Sequence, residues 1–437
     1  MALFSAASQE ILRPTIDPTA DDPKGFMANA LQLGNLTIRS VLESGARNHP
    51  DRPFVLFPET GDQCTWAEIA VAARSTAARL TALGLAPGET VGVLADNSRT
   101  TLELFLGSMF GGFITTIFNP LAGQAQLDYV VDHSEVRVLF VSQDYLELGR
   151  NAVTTCSRTV TLIPNDPPDW PVEASEQTLH MPRPDDAALL IYTSGTTSKP
   201  KAVETSHLSL TIAALTASIE LELSSQCKML LVLPLFHCTA LSILYPTFLR
   251  SGCCTLHASF EPMQIANSLE HEKIETSVLL PMMWNALMAT EGFNQRDLKH
   301  FKLAIYGMAP MSEQNRQQIR EAFGCKVHLG SGQTEFSPVS TLFKDRCETE
   351  FDEGNYWGVP LCFNEQAVID ENGNEVPQGE TGEIVVCGPK RDLGILADYP
   401  QVRYVVFEIP PDQVFPISQN CQLSRMCKLC KAVIKFY

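Results

Sequence analysis

A run of hydroxyl-bearing and basic residues lies near the middle of the chain, directly after an apolar stretch. The segment Tyr192–Lys201 reads Tyr-Thr-Ser-Gly-Thr-Thr-Ser-Lys-Pro-Lys. Backbone N–H groups, hydroxyls and ammonium groups are the donors that bind triphosphate oxygens, and small side chains leave the backbone accessible to them. The segment lacks the Walker pattern G-x-x-x-x-G-K-[ST]. Its composition suits a solvated turn rich in serine and threonine equally well, so both interpretations stay open at this point.

Three further blocks carry groups that could take part in catalysis. Pro234–His237 ends in a histidine, Gly307–Ser312 is rich in small residues, and Gly332–Glu335 places a hydroxyl next to a carboxylate. A carboxylate such as that of Glu335 is a hard oxygen ligand that suits Mg²⁺. A lone histidine on an apolar segment, such as His237, is more often a satisfied core residue than a catalyst.

Together these blocks resemble the signatures of the adenylate-forming superfamily, which includes acyl- and aryl-CoA synthetases, firefly luciferase and the adenylation domains of peptide synthetases. Tyr192–Lys201 is similar to T-S-G-T-T-G-x-P-K-G. The remaining blocks come in the order of that family: Asn119–Leu121 (N-P-L), Pro234–His237 (P-L-F-H), Gly307–Ser312 (G-A-A-P-L-S), Gly332–Glu335 (the end of Y-G-x-T-E), Tyr356–Pro360 (G-x-P), and Gly379–Glu383 with Gly388–Pro389 (G-E-I-x-x-x-G-P). The resemblance extends over residues 36–389.

The resemblance implies an enzyme that activates a fatty or aromatic carboxylic acid in two steps. The carboxylate attacks the α-phosphate of ATP to give acyl-AMP and pyrophosphate, and a thiol, usually that of coenzyme A, then takes the acyl group. ATP, Mg²⁺ and coenzyme A are the implied cofactors. Because the first step brings two anions together, catalysis depends on neutralising charge and on alignment.

The family motifs also imply roles for individual residues. The hydroxyls and the last lysine of Tyr192–Lys201 would hold the β- and γ-phosphates, Thr334 would bond an α-phosphate oxygen, and Glu335 would bind Mg²⁺. The implied catalytic residues are Lys201, His237, Thr334 and Glu335. The implied nucleotide-binding residues are Thr193, Ser194, Gly195, Thr196, Thr197, Lys199, Lys201, Gly307, Met308, Ala309, Pro310, Ser331, Gly332, Gln333 and Thr334.

The residue after Phe236 bears on the substrate. In acyl- and aryl-CoA ligases the matching histidine lies beside the substrate carboxylate and gates the acyl tunnel, whereas amino-acid-activating domains carry an aspartate there. His237 therefore disfavours an amino-acid substrate. Met282, Met283 and Trp284 could line an apolar acid pocket, although methionine-rich packing is equally common in plain cores.

Three residues depart from the family pattern. Ser198 replaces the second glycine of the loop signature, and Ala202 replaces the final one. Either Cβ would cost on the order of 1 kcal/mol if the backbone there were left-handed. Ser331 stands where most members have an aromatic residue that stacks on adenine, which predicts weaker packing of the base.

The family pattern ends after Pro389. The family continues with a T-G-D block and a small mobile domain that carries a catalytic lysine, and neither is recognisable in residues 390–437. The expected organisation is a lead-in over residues 1–35, an AMP-binding (adenylation) domain over 36–389 and a divergent basic tail over 390–437, with the C-terminal lid domain missing.

Hydrophobic periodicity predicts that alternating helices and strands position these residues. The predicted helices are Leu36–Asn48, Thr65–Leu83, Ser98–Gly111 and Gln124–Asp132. The predicted strands are Thr90–Ala95, Phe113–Phe118, Val136–Val141, Ala187–Tyr192, Met229–Leu233, Thr276–Leu280, Leu303–Tyr306, Lys326–His328, Ala367–Ile369 and Glu383–Val386, the last two joined as a hairpin by turn residues Asp370–Gly373. This pattern predicts an α/β fold: a large body of layered, parallel-rich sheets with covering helices, plus a small β subdomain.

Composition argues against several classes of function. The 437 residues carry a formal net charge of −18, which disfavours a nucleic-acid surface because phosphate binding needs a basic face. The 13 cysteines form no compact framework, which suits a reducing, cytoplasmic compartment. Leu104–Leu127 and Met229–Leu249 are apolar but interrupted by glycine or proline, so they are predicted to be buried core and not membrane spans.

Three hypotheses for function follow. The leading one is an acyl- or aryl-CoA synthetase acting on a small carboxylic acid, with activity impaired if the lid domain is missing. The second is a non-catalytic remnant or truncated isoform that binds a nucleotide or an acyl group. The third is an adenylation domain that loads the thiol of a carrier protein, which His237 and the lack of a carrier segment disfavour.

Overall fold

The structure is a computed structural model that describes residues 36–165, 170–173, 178–193, 199–344, 358–370, 372–377, 382–388, 394–395 and 405–408. The helices are α1 (Ile38–Asn48), α2 (Trp66–Ala82), α3 (Arg99–Phe110), α4 (Gln124–His133), α5 (Leu146–Thr155), α6 (His207–Glu220), α7 (Cys238–Leu249), α8 (Pro262–His271), α9 (Pro281–Met288) and α10 (Glu313–Phe323). Short 3₁₀ turns occur at Pro120–Ala122, Gln143–Tyr145, Phe293–Gln295 and Thr334–Phe336.

The strands are β1 (Pro53–Phe57), β2 (Asp62–Thr65), β3 (Thr90–Leu94), β4 (Ile114–Ile117), β5 (Val136–Val141), β6 (Thr161–Pro164), β7 (Ala187–Thr193), β8 (Lys201–Ser206), β9 (Lys228–Leu231), β10 (Cys253–Leu256), β11 (Thr276–Leu279), β12 (Leu303–Tyr306), β13 (Lys326–Gly332), β14 (Val339–Phe343), β15 (Val359–Pro360), β16 (Glu365–Ile369), β17 (Glu383–Cys387), β18 (Gly394–Ile395) and β19 (Val405–Glu408).

Seven of the described strands form one sheet in the order β18-β8-β7-β4-β3-β5-β6. Strands β7, β4, β3, β5 and β6 run parallel, and β8 and β18 join antiparallel at one edge. The sequence of β5 explains why this strand lies inside a parallel sheet, because its residues are apolar and buried except for Arg137. Such a nearly continuous apolar run is typical of a parallel strand that is covered on both faces.

A nine-stranded sheet has the order β15-β14-β13-β12-β11-β9-β10-β1-β2. Strands β1, β10, β9, β11, β12 and β13 run parallel, while β2, β14 and β15 are antiparallel additions at the two edges. A third sheet, β16-β17-β19, is antiparallel and forms the small β subdomain. The predicted pairing of Ala367–Ile369 with Glu383–Val386 is present in it, and Asp370 organises the turn by accepting the backbone N–H of Asn374 at 2.8 Å.

One apolar cluster contains side chains from both large sheets and from the helices between them. Phe54 of β1 stacks on Phe248 of α7 with ring centres 4.1 Å apart, and it meets Trp66 of α2 edge-on at 4.7 Å. Residues of β3 and β9 belong to the same cluster. Aromatic pairs of this kind add to the free energy gained from burial alone. The cluster therefore fixes the two sheets, and the loops at their strand ends, against each other.

Side-chain caps set the starts of several helices. Thr65 and Glu68 form a capping box at α2, and Ser98, Ser206 and Ser312 accept backbone N–H groups at the starts of α3, α6 and α10. The predicted helices Thr65–Leu83 and Ser98–Gly111 included the cap residue at each end, so α2 and α3 are shorter at both ends than predicted.

The apolar stretches are buried core, as predicted. Met229–Leu249 contributes most of β9 and all of α7, whose side chains are largely buried. Across the part of the chain that the structure describes, no helix combines the length and the apolarity needed to cross a bilayer.

Candidate active site

Four chain segments meet where strands of the two large sheets end. The β7–β8 pair carries Thr193 and Lys201, the β9–α7 connection carries His237, Gly307 follows β12, and Thr334 follows β13. The carboxyl ends of parallel strands share one edge of a sheet, and ligands of open α/β sheets bind at that edge. The fold therefore gathers the residues that the sequence motifs single out.

Lys201 and Glu335 belong to two elements that contact each other at the junction of the two sheets. Lys201 opens β8, opposite Thr193, and Glu335 lies in the Thr334–Phe336 turn. Burial raises the pKa of Glu335, and a backbone hydrogen bond and the charge of Lys201 offset part of the effect. A half-buried carboxylate whose desolvation is only partly balanced is suited to bind a cation.

The structure describes the two ends of the predicted phosphate loop, and residues 194–198 lie outside the described ranges. At one end, the Thr193 hydroxyl approaches the carbonyl oxygen of Lys201 at 3.5 Å. At the other end, the ammonium group of Lys199 lies 4.8 Å from the centre of the Tyr129 ring, a cation–π contact. Lys199, which was predicted to bind nucleotide, is thus engaged by an aromatic side chain of α4.

The strand that leads into this loop is also anchored on α4. The hydroxyl of Tyr192 lies 3.0 Å from Nδ1 of His133, and the two rings meet edge-on. Burial raises the pKa of Tyr192 well above its usual value, so the hydroxyl stays protonated. This anchor holds the end of β7 at the position from which the loop begins.

Thr334 is held by a neighbour that the sequence analysis did not single out. Its hydroxyl lies 3.2 Å from the sulfur of Cys238, the first residue of α7. Cys238 is buried in the cluster shared by the sheets. The contact ties the turn after β13 to the start of α7, and the only sequence signal for it was that Cys238 adjoins the Pro234–His237 block.

His237 is the N-cap of α7. Its Nδ1 accepts the backbone N–H of Thr239 at 3.2 Å. A ring nitrogen that accepts a hydrogen bond carries no proton, so the neutral imidazole holds its proton on Nε2, which can donate. Partial burial lowers the pKa of His237 and favours this neutral form. Part of the residue nevertheless remains exposed to solvent, unlike a satisfied core histidine.

The block Gly307–Pro310 forms a rim beside α7. A Cβ at Gly307 would lie 2.7 Å from the carbonyl oxygen of Gly330, because the backbone that leaves β12 closely approaches β13 there. Met308 has a left-handed backbone with a φ of 63°, and the two residues after it are exposed. The Thr239 hydroxyl contacts the Met308 sulfur at 3.5 Å. The block predicted to lie near adenine therefore borders the start of α7.

The end of β13 leaves no room for a side chain at Gly332. A Cβ there would lie 1.8 Å from the carbonyl oxygen of Pro338. The preceding residue is the half-buried Ser331, and because it is a serine the strand presents no aromatic surface at this position. Gln333 is 7% exposed, and both atoms of its amide lack a hydrogen-bond partner within the described part of the chain. This amide directly precedes Thr334.

An apolar slot lies between α6 and α7, beside the residues that follow the Thr334–Phe336 turn. Its lining residues are Leu210, Ala213, Ala217, Leu241, Ser242, Tyr245, Ser337, Pro338, Val339 and Leu361. Ser337 is buried, and its hydroxyl has no partner among the described residues. Trp284 belongs instead to a second core cluster and donates its indole N–H to the carbonyl of Ile305 at 3.2 Å, which confirms the core alternative for that residue.

The strain expected at Ala202 does not arise. Ala202 lies in β8 opposite Tyr192, and it is not among the described residues with a left-handed backbone. The cost of a Cβ depends on the backbone conformation and not on the residue that other family members carry. Ser198, the other replaced glycine, lies outside the described residues.

Two packed sheets that gather a lysine, a carboxylate and a threonine at the edge where β7 and β13 end define an α/β protein with the architecture of an adenylation domain. The chain belongs to the AMP-binding enzyme family, whose model matches residues 42–396. A feruloyl-CoA synthase of Amycolatopsis sp is 30% identical over 336 residues, which cover 75% of this chain and 66% of that relative. This chain therefore spans about two thirds of the relative's length.

Solved structures show the same fold. An anthranilate CoA ligase in complex with anthranoyl-AMP has a TM-score of 0.77 at 20% identity and covers 86% of this chain and 73% of its own. The O-succinylbenzoate coenzyme A synthetase of Bacillus subtilis in complex with ATP and magnesium ion has a TM-score of 0.74 at 22% identity, over 82% of this chain and 72% of its own.

Proposed function

We propose that this protein activates a fatty or aromatic carboxylic acid with ATP to an acyl-adenylate and transfers the acyl group to coenzyme A. The observation that carries the proposal is that β8, which begins at Lys201, contacts the turn that carries Thr334 and Glu335, at one edge of an AMP-binding family fold. The relatives support it, because they include a feruloyl-CoA synthase and CoA ligases solved with anthranoyl-AMP and with ATP and magnesium.

Three residues of the site supply what the first step needs from the protein. The ammonium group of Lys201 offsets the negative charge of the phosphates. The Thr334 hydroxyl, which contacts Cys238 at 3.2 Å, can turn toward an α-phosphate oxygen. Glu335 would hold Mg²⁺, and the raised pKa of this half-buried carboxylate fits a site completed by a cation. Mg²⁺, when bound, supplies positive charge that neutralises phosphate oxygens.

His237 and the slot beside α7 suit an apolar acid. The Nε2–H of His237 can donate to a carboxylate oxygen, because Nδ1 is occupied by the backbone N–H of Thr239. The slot lies one helical turn farther along α7, where Leu241 and Tyr245 present apolar surface. The slot has room for little more than one water molecule in this structure, so it would have to widen to take the hydrocarbon part of an acid whose carboxylate binds at His237.

The direct test is pyrophosphate exchange with a panel of fatty and aromatic acids. We expect exchange with at least one acid, and we expect Glu335→Gln to lose about 100-fold or more of it, since the variant removes a cation ligand. Glu291→Gln, which changes an exposed glutamate outside the site, is the matched control and is expected to retain activity. Coenzyme A and a pantetheine-bearing carrier protein are then compared as acceptors.

Each outcome of this experiment has a consequence. ATP–Mg²⁺ binding by calorimetry without exchange for any acid would contradict the proposed turnover and favour a protein that binds nucleotide without reacting it. An equal loss of exchange in the Glu335 and Glu291 variants would show that the effect does not come from the site.

A further inference from the structure

The buried side chain of Asn97 bridges the two large sheets. Asn97 follows β3 of the seven-stranded sheet and is 6% exposed. Its amide N–H₂ donates to the carbonyl oxygens of Leu233 and His257, each at 3.1 Å, and its Oδ1 accepts the backbone N–H of Leu235 at 2.9 Å. These three partners follow β9 and β10 of the nine-stranded sheet. A single amide therefore makes three buried hydrogen bonds from one sheet to the other.

Two of the three partners lie at the start of the turn that carries His237. Leu233 and Leu235 stand on either side of Pro234, and the backbone N–H of His237 closes the turn on the carbonyl of Pro234 at 2.9 Å. Because proline has no N–H, Leu235 provides the first donor after it. His237 then caps α7. Asn97 thus fixes the backbone on both sides of the proline from which the histidine is presented.

The third partner is itself held in place. The imidazole of His257 contacts Glu59 at 2.8 Å through Nδ1 and Ser268 at 2.9 Å through Nε2, and its backbone N–H donates to Leu231 at 2.9 Å. Glu59 lies between β1 and β2, and Ser268 lies in α8. Asn97 therefore connects the His237 turn to a residue that is anchored on three sides.

We infer that Asn97 is a positioning residue that sets the place of His237 relative to the substrate carboxylate, an inference that rests on the proposed function. Asn97 acts through the backbone, because its hydrogen bonds go to the backbone groups of Leu233, Leu235 and His257. Without its amide, the Leu235 N–H and the Leu233 carbonyl lose their partners in a buried place and must find others, which displaces the turn. Its three bonds go to residues 233, 235 and 257, and none goes to the elements that carry Lys201 and Glu335.

Loss of the Asn97 hydrogen bonds should change KM for the acid but not KM for ATP. Asn97→Leu, which keeps the size of the side chain and removes its hydrogen bonds, is expected to raise KM for the acid by about 10- to 100-fold in pyrophosphate exchange, the scale expected for a misplaced group. KM for ATP is expected to stay near that of the wild type. Asn97→Asp retains the acceptor for Leu235 and loses both donated hydrogen bonds, so it should also raise KM for the acid.

A control variant separates positioning from general destabilisation. Phe323→Leu changes a buried ring in the second core cluster. It is expected to lower the melting temperature while leaving the ratio of the two KM values unchanged. If Asn97→Leu raises KM for ATP as much as KM for the acid, the positioning role is refuted.

A second readout does not depend on turnover. Carbethoxylation of His237 by diethyl pyrocarbonate, followed by peptide mass spectrometry, reports the surroundings of the imidazole, and exposed His271 serves as the internal reference. We expect His237 to react faster in folded Asn97→Leu than in the wild type, because the cap bond to Thr239 loosens. Unchanged reactivity would overturn the inference. If the wild type shows no exchange with any acid, the proposed function fails, while this measurement still decides whether Asn97 positions His237.

Discussion

Two glycines of β13 differ in what their surroundings tolerate. A Cβ at Gly332 would lie 1.8 Å from the carbonyl oxygen of Pro338, a backbone atom that cannot rotate away. At Gly330 the nearest atoms are side-chain carbons of Ile305 and Val339, at 3.7 and 3.8 Å, which are ordinary contact distances. Both glycines lie in the same strand, so the difference between them is steric.

This difference gives a matched pair of variants. We expect Gly332→Ala to lower the free energy of unfolding by about 1–3 kcal/mol, since the strand or the Pro338 loop must shift. We also expect it to reduce pyrophosphate exchange, because Thr334 and Glu335 follow directly. Gly330→Ala should remain close to the wild type in both. Urea unfolding and the exchange assay measure the two effects, and equal losses in both variants would contradict the steric explanation.

At the scale of single residues, the sequence revealed those groups whose neighbours in the chain form a motif. Lys201, His237 and Glu335 are predicted site residues of this kind, and the fold brings their segments together. Asn97 was missed because its partners lie more than 100 residues away in the sequence. Tyr129 was missed for a similar reason. It contacts Lys199, which lies in a distant segment, and the sequence around Tyr129 gives no sign of that contact.

At the scale of elements, hydrophobic periodicity found strands such as β5, whose residues form a nearly continuous apolar run, and missed strands such as β8. Strand β5 was predicted with its observed limits, Val136–Val141. Strand β8 was missed because Lys201–Ser206 reads as polar, although Thr205 and Ser206 are buried against β7. Cross-strand partners satisfy such polar side chains, and a single segment does not reveal its partners.

Helix α6 is tied to β14 by a largely buried ion pair. Lys344 Nζ lies 2.7 Å from Glu220 Oε2, and the backbone N–H of Cys362 donates to Oε1 of the same carboxylate at 2.9 Å. Burial acts to raise the pKa of Glu220, but the hydrogen bonds from Lys344 and Cys362 outweigh it, so the pKa lies below its usual value. The pair fixes the end of α6 next to Leu361, which lines the apolar slot.

Removing one partner of this ion pair should lower the stability of the fold. We expect Lys344→Met to lower the free energy of unfolding by about 3 kcal/mol, because it leaves the Glu220 carboxylate buried without its counter-charge. The double variant Glu220→Gln with Lys344→Met should lose less than the sum of the single losses, since neither charge remains. Urea denaturation of the four proteins measures the coupling.

An exposed pair provides the comparison for that cycle. Lys299 and Asp297 lie 2.6 Å apart but are mostly exposed, so Lys299→Met is expected to leave the stability close to that of the wild type. If the Lys344 and Glu220 losses prove additive, the two side chains act independently and the ion pair does not explain how α6 is held.

At the scale of the whole molecule, the order of strands in the sheets could not be derived from the sequence. Strand β9 lies between β10 and β11, and β1 pairs with β10 across nearly 200 residues. Such pairings depend on contacts between distant segments, which periodicity within a window does not contain. The motif resemblance supplied the fold class, and the shared apolar cluster shows the physical cause: neither sheet buries its inner face without the other.

A buried histidine links α1 to the start of α6 and makes the stability of the whole fold depend on pH. His207 is fully buried, and its Nδ1 accepts the backbone N–H of Ile38 at 3.3 Å. Its Nε2 has no hydrogen-bond partner among the residues that the structure describes. Burial lowers the pKa of His207 to about 4, with a small opposing effect from Asp186.

The sign of the pH dependence follows from this lowered pKa. In the unfolded chain the imidazole takes up a proton below about pH 6.5, whereas in the folded protein it stays neutral down to about pH 4. The unfolded state therefore binds more protons in this window, and stability falls as the pH decreases through it. For His207 alone, the loss between pH 7.5 and pH 5 is on the order of 2 kcal/mol.

His207→Asn isolates this contribution from those of other titrating groups. Asparagine keeps an acceptor near the position of Nδ1 for the Ile38 N–H, and its side chain does not change its protonation in this pH range. We therefore expect urea unfolding to show a smaller decrease in stability from pH 7.5 to pH 5 in the variant than in the wild type, by about 2 kcal/mol. If both proteins lost the same stability over that interval, His207 would have to become protonated in the folded state as easily as in the unfolded one. That result would require a route for water or a counter-charge to its unpartnered Nε2, and the packing of α1 on α6 would then be looser than the structure indicates.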